Sequence, residues 1–252
     1  MINKELWTAT KFVKTKDGYS ASMDPKEVLI GSRFIASIQV LLYQHLIEKF
    51  ASGLLLDLGC GNVPLYQMYQ DYVSDNICVD WGSSFHDNPY LDHEANINNG
   101  VPLADNIFDT ILMTDVLEHI SNPELVMGEV SRLLKPKGKL ILTVPFLYKI
   151  HEKPYDYFRY TEFSLRMFCQ KNNLDILYLE PYGGTFEVIL DITAKQLARF
   201  PLLSSTHLFL SRLLIKSRFG QNVSAKTAKN FPLGYGLVAQ KIDYSASAQE
   251  SP

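Results

Sequence analysis

Cysteine is scarce in this chain of 252 residues, occurring three times, at Cys60, Cys78 and Cys169. An odd count with no metal-like spacing excludes a disulfide framework. It gives no expectation of a metal site and fits a reducing, cytoplasmic setting. Long apolar runs are also missing, so no bilayer-spanning segment is expected. The opening MINKELWTATKF has no apolar stretch of the signal-peptide kind, and no such peptide is expected. Neither sign of charge dominates: 24 Lys and Arg stand against 27 Asp and Glu, a formal net charge of −3. A general nucleic-acid partner is therefore not expected. There is no internal repeat.

What is present suits one large domain with a full core: 46% of residues are hydrophobic and 20% charged. Apolar residues at Phe34, Ile38, Leu41, Leu42 and Leu46 have helical spacing. Short apolar runs predict strands at 54–58, 76–80, 108–114, 139–144, 174–180 and 233–241. Helices are predicted over 123–134, stopped by the breakers in KPKG, and over 164–172. Strands alternating with helices imply an α/β fold with a mostly parallel sheet covered on both faces. The expected organisation is a single domain. It has a helical cap over 1–50, a ligand-binding core over 51–184 and a helical basic insertion over 185–231. The last strand follows over 232–242, then a flexible tail over 243–252.

The stretch LLLDLGCGN (54–62) runs a strand into a glycine turn, with Asp57 just ahead of Gly59 and Gly61. Glycines there let backbone approach a ligand closely. The next strand ends in Asp80, where an acid suits ribose hydroxyls. Pro64 occupies the third slot of a GxGxxG pattern, which counts against a dinucleotide site and an NAD-dependent oxidoreductase.

Asp57-Leu58-Gly59, VPLADNIFD (101–109) and TDVLEHI (114–120) come in the order and spacing of class I S-adenosylmethionine-dependent methyltransferases. The chain resembles the small-molecule branch of that family. The resemblance implies a Rossmann-like, seven-stranded, mostly parallel sheet, with a helical insertion before the last strand. It also implies S-adenosylmethionine as cofactor, with the methionine end at Gly59, Cys60 and Gly61 and the ribose at Asp80, beside Trp81. Asn96 fills the position that contacts the adenine amine, with Asp92 and Glu94 as other candidates, and Asp115 faces the cofactor. A non-catalytic partner that keeps the fold is the rival these intact residues disfavour.

Methyl transfer to a hydroxyl needs position and a proton acceptor. His119 and His151 both follow carboxyl ends of predicted strands and are the catalytic candidates. The plainer alternatives are a helix-start residue for His119 and a surface loop residue for His151. PFLYKIHEKPYDYFRYT (145–161) crowds aromatic and charged groups around His151. Tyr155, Asp156, Arg159 and Tyr160 are expected to meet the substrate, a small molecule or glycan. Tyr157 and Phe158 are the aromatics expected to pack into the core. Arg159 either pins the loop through Asp156 or grips a phosphate or carboxylate. The aromatic loop also resembles methyltransferases of bacterial surface-glycan synthesis.

No acidic residue lies between Asp191 and Asp243, while eight Lys and Arg do. The plain reading is a helical cap with a solvated basic edge. The sharper one, over 195–219, is peripheral contact with anionic lipid at the inner membrane face.

Overall fold

The structure is a computed structural model, and it describes residues 1–82 and 88–244. Most of the expected tail, 245–252, lies outside the described residues. In chain order the main elements are β1 (Phe12–Thr15), β2 (Gly18–Ala21), α1 (Arg33–Phe50), β3 (Leu54–Leu58), α2 (Tyr66–Tyr69), β4 (Asp75–Asp80), β5 (His93–Glu94) and β6 (Phe108–Thr114). They continue with α3 (Pro123–Leu133), β7 (Leu134–Pro145), α4 (Glu162–Lys171), β8 (Leu174–Tyr182), α5 (Thr185–Leu197), α6 (Pro201–Lys216), α7 (Arg218–Thr227) and β9 (Gly234–Lys241).

Seven strands form one sheet in the order β5-β4-β3-β6-β7-β9-β8. The first five run parallel, and β9 is antiparallel to both its neighbours. Helices cover both faces, and α5–α7 fill the connection from β8 to β9. The expected fold class is therefore the observed one.

Side-chain alternation along the strands divides the core. Leu56, Ile111, Leu140 and Leu142 face the layer of Val126, Val130, Leu165 and Phe168. Leu55, Leu112 and Ile141 face the other way, onto Val40, Tyr43, Leu46 and Ile47 of α1. Strands buried on both faces read as unbroken apolar runs, which is why LLLDL and KLILTVP stood out. Asn122 caps α3 by accepting from the Leu125 N–H, and Pro123 follows at the first helical position.

Two local predictions are corrected. The region 1–50 is only partly helical, because 12–21 folds as an antiparallel hairpin. Its loop ends in Asp17-Gly18, and Gly18 takes φ 122. The KPKG stretch is not a break after α3 but the start of β7. Phe108 pairs with Leu134 and Thr110 with Lys139, so the residues between bulge out. A Cβ on Gly138 would lie 2.8 Å from the Phe108 carbonyl oxygen, so the bulge accepts only glycine there. No helix of the described residues is long and apolar enough to cross a membrane.

Candidate active site

The carboxyl ends of β3, β4, β6 and β7 open into one cavity of about 910 Å³, roofed by the N-terminal hairpin and α1. That is room for a cofactor-sized ligand with a small acceptor. Open α/β sheets bind ligands at this edge.

One end is built on the turn after β3. Gly59 has φ 76 and Gly61 φ 49. A Cβ on Gly59 would also stand 2.5 Å from Val116 Cγ2, so space and torsion both require glycine. Asp57 is buried and accepts from the Tyr69 hydroxyl at 3.2 Å. Burial pushes its carboxyl up to about 7, with the nearby Asp80 charge adding to the rise. Asp80 accepts the Gly61 and Trp81 N–H groups, each at 2.6 Å, which ties the strand end to the glycine turn. The Cys60 thiol is pushed up by its contact with Cys78 and by burial, so it stays protonated and unreactive.

Asn96 lines the cavity, its side-chain oxygen capping the short turn at 97–99 through the Asn98 N–H, 3.1 Å away. Asp92 and Glu94 line no part of it. Asp92 accepts from the Cys78 N–H and pairs with the N-terminal ammonium, while Glu94 packs on Gly82. Asp115 reaches the cavity with φ 54, an uncommon torsion for a residue with a side chain. Its carboxylate accepts from Gln39 Nε2 at 2.7 Å, Tyr43 Oη at 2.6 Å and Thr143 Oγ1 at 3.2 Å. Its main partners are thus α1 and β7, which fastens the roof to the sheet.

At the other end, His119 and His151 come together across two loops, Nε2 to Nε2 at 3.1 Å. His119 Nδ1 lies 3.0 Å from the Tyr155 carbonyl oxygen, an acceptor, so Nδ1 carries the proton. Glu118 lies behind the pair, fully buried, with Oε1 3.7 Å from each Nε2. Burial lowers the basicity of His151, but Glu118, Asp156 and Glu152 outweigh it and hold the imidazole above its ordinary value. Tyr155 stands edge-on to Trp81 at 5.2 Å, joining the two ends of the cavity.

Asp156, Arg159 and Tyr160, expected at the substrate, stand behind the lining instead. Asp156, 2% exposed, accepts the His151 N–H at 2.9 Å and a two-point contact from Arg159, with Nη2 at 2.8 Å. Burial raises the Asp156 carboxyl, but the guanidinium and that N–H prevail and keep it far below the usual range. Of the two readings for Arg159, loop pinning is the one formed. Tyr160 is buried and donates to the Leu117 carbonyl at 3.0 Å. Tyr157 and Phe158, expected in the core, are 46% and 40% exposed, because the loop turns Tyr160 inward in their place.

Residues 56–142 match the family described as a methyltransferase domain. That segment is a methyltransferase domain of the S-adenosylmethionine-dependent kind. The chain is 36% identical over 105 residues to an uncharacterized protein of Methanocaldococcus jannaschii, covering 39% of this chain and 45% of that one. It is 35% identical over 98 residues to the thiol S-methyltransferase TMT1B of Rattus norvegicus, covering 34% and 40%. The match thus spans less than half the length of these relatives. An S-adenosylmethionine-dependent methyltransferase from Archaeoglobus fulgidus superposes with a TM-score of 0.55 over 84% of this chain and 98% of that one. At 14% identity this likeness is one of fold.

The site fits the family's cofactor, S-adenosylmethionine. Asp57 and Asp80 offer carboxylates to hydroxyl and ammonium donors. Asn62 Oδ1, in the same cavity, is buried with no hydrogen-bond partner among the described residues, an acceptor that such a ligand satisfies. Gln39, Tyr43, Asn62 and Glu118 were not legible as site residues. Gln39 and Tyr43 lie more than seventy positions from Asp115 in the chain. Glu118 reads as an ordinary acid at a helix start until its burial is seen.

Proposed function

We propose that this protein transfers the methyl group of S-adenosylmethionine to a hydroxyl of a small-molecule or glycan acceptor. The observation that carries this reading is one cavity joining the Gly59–Gly61 turn and Asp80 to the His119–His151 pair. The bound cofactor supplies a methyl already activated on a sulfonium. Asp80 and the glycine turn hold it, with Asn96 at its adenine end. His151 takes the proton of the acceptor hydroxyl. His119, fixed by the Tyr155 carbonyl, positions that imidazole, and Glu118 stabilises the positive charge it gains. Tyr148, Tyr155 and Tyr157 line the same end and offer ring faces to a sugar or aromatic acceptor.

The test is incubation with methyl-labelled S-adenosylmethionine and a panel of sugars, phenols, amines and thiols. Label in an ether on a hydroxyl acceptor, lost in His151→Ala, is the expected result. Label confined to thiols or amines overturns the hydroxyl assignment.

We also infer a peripheral contact with anionic lipid, at the inner face of the cytoplasmic membrane. Ser204, Leu208 and Ser211 form the buried face of α6, while Leu203, Phe209, Leu210 and Leu213 face outward and Leu202 is 86% exposed. Arg199, Lys216 and Arg218 flank this apolar face and are themselves exposed. Apolar side chains outward with cations beside them suit a helix lying in the headgroup layer. Flotation with anionic vesicles at low salt should carry the protein upward. Absence of binding contradicts the inference.

A further inference from the structure

Glu118, His119 and His151 have an arrangement that acid–base work alone does not require. Three potential ligand atoms converge: His119 Nε2, His151 Nε2 and Glu118 Oε1. Their separations are 3.1, 3.7 and 3.7 Å. Ligand atoms around a tetrahedral ion at bond lengths of about 2.0–2.2 Å stand about 3.3–3.6 Å apart. Glu152 Oε2, on the solvent side, is 3.6 Å from His119 Nε2.

The outer nitrogens point the same way. His119 Nδ1 faces the Tyr155 carbonyl, and His151 Nδ1 lies 3.2 Å from Asp156 Oδ2 without making a hydrogen bond. The Tyr155 carbonyl keeps the His119 proton on Nδ1, so the His119 Nε2 lone pair turns inward. Metal-bound histidines commonly have a carbonyl or carboxylate at the far nitrogen. Arg159 in turn holds the Asp156 carboxylate.

Glu118 is a separate observation. Its side chain is fully buried, and neither carboxylate oxygen has a hydrogen-bond partner among the described residues. A buried carboxylate without partners is costly. The two imidazole Nε2 atoms stand 3.7 Å from Oε1, beyond hydrogen-bond length. The inward lone pair of His119, the His151 Nε2 beside it and an unpaired carboxylate form a site for a cation.

We propose that Glu118, His119 and His151 bind a divalent metal ion of the zinc type, with Glu152 closing the site or yielding its place to a ligand. Two imidazoles and a carboxylate are a donor set that suits zinc and cobalt. The ion faces the acceptor end of the cavity, where it polarises an acceptor oxygen in place of the imidazole. That last clause rests on the function proposed above; the metal site itself does not.

The experiment uses the whole chain, stripped with a chelator and titrated with cobalt(II) chloride. One equivalent should bind and give the visible absorption of a tetrahedral nitrogen–oxygen site. Zinc should displace it. His151→Ala and Glu118→Gln should each weaken binding by at least about tenfold, and Asp156→Asn by about 10- to 100-fold. Where Glu118→Gln fails to fold, His119→Gln with His151→Gln takes its place. No visible absorption at millimolar cobalt overturns the proposal. So does a thiolate charge-transfer band, which would put the metal at cysteine, or binding unchanged in all the variants. S-adenosylmethionine titrated into the same samples separates the two readings. Cofactor binding without metal defeats only this site, and metal binding without cofactor defeats only the methyl-transfer reading.

Discussion

His119 and His151 stand edge to face, ring centroids 4.6 Å apart and Nε2 atoms 3.1 Å apart, although 31 residues separate them in the chain. The LEH turn after β6 brings one and the loop after β7 the other, so adjacent parallel strands create the pair. His151→Ala should keep S-adenosylmethionine affinity within a few-fold and lose most turnover, because the imidazole lies at the acceptor end. Calorimetry and single-turnover methyl transfer check both halves. Unchanged turnover removes His151 from the reaction.

Gly59→Ala places a side chain on φ 76 and against Val116 Cγ2. The strain alone costs about 1–3 kcal/mol. Urea unfolding should show that loss, and cofactor affinity should fall with it as the turn shifts. A variant of wild-type stability and affinity would contradict the role given to this turn.

Asp57 titrates at about 7 in the folded chain against an ordinary value of 3.8. Between those values the folded state holds more proton than the unfolded one, so stability falls as pH rises through that window. Asp57→Asn should flatten the fall. Urea midpoints at pH 5 and pH 8, compared for the two proteins, measure it. The wild type should lose more between the two than the variant.

Arg159→Ala leaves the Asp156 carboxylate without its two-point partner. Loss of about 1.5–3 kcal/mol is expected from hydrogen bonds to a charged group. Arg159→Lys should recover only part, since an ammonium cannot make the paired contact. Turnover should fall in both, because the same carboxylate holds the His151 backbone N–H.

Leu112→Ala opens a hole where β6 meets α1, and should cost about 2–5 kcal/mol. It should leave the side chains of the candidate site in place, which makes it the control for variants of that site.

The frame of the fold was legible because its signals are local. LLLDL followed by Gly-Cys-Gly, and a second strand ending in Asp80, declare a strand, a turn and an acid within a few residues of each other. The hairpin at 12–21 carried the Asp-Gly signal but lies where helix was expected. The KPKG stretch looked like a break because its lysines and proline hide a bulged strand start. What the loop at 145–161 would do was only half legible. Its density of ionisable groups marked the site. Which groups turn outward depends on tertiary partners: Asp156 is claimed by Arg159, and Tyr160 by the Leu117 carbonyl. Glu118 went unseen because burial, not residue type, makes it unusual.

The most direct test of the central claim is calorimetric titration of the full chain with S-adenosylmethionine and, separately, with NAD. Saturable binding of S-adenosylmethionine at one site, weakened in Gly59→Ala and Asp80→Ala, with no heat from NAD, is the predicted result. No S-adenosylmethionine binding at millimolar concentration, or binding of NAD in its place, would contradict it.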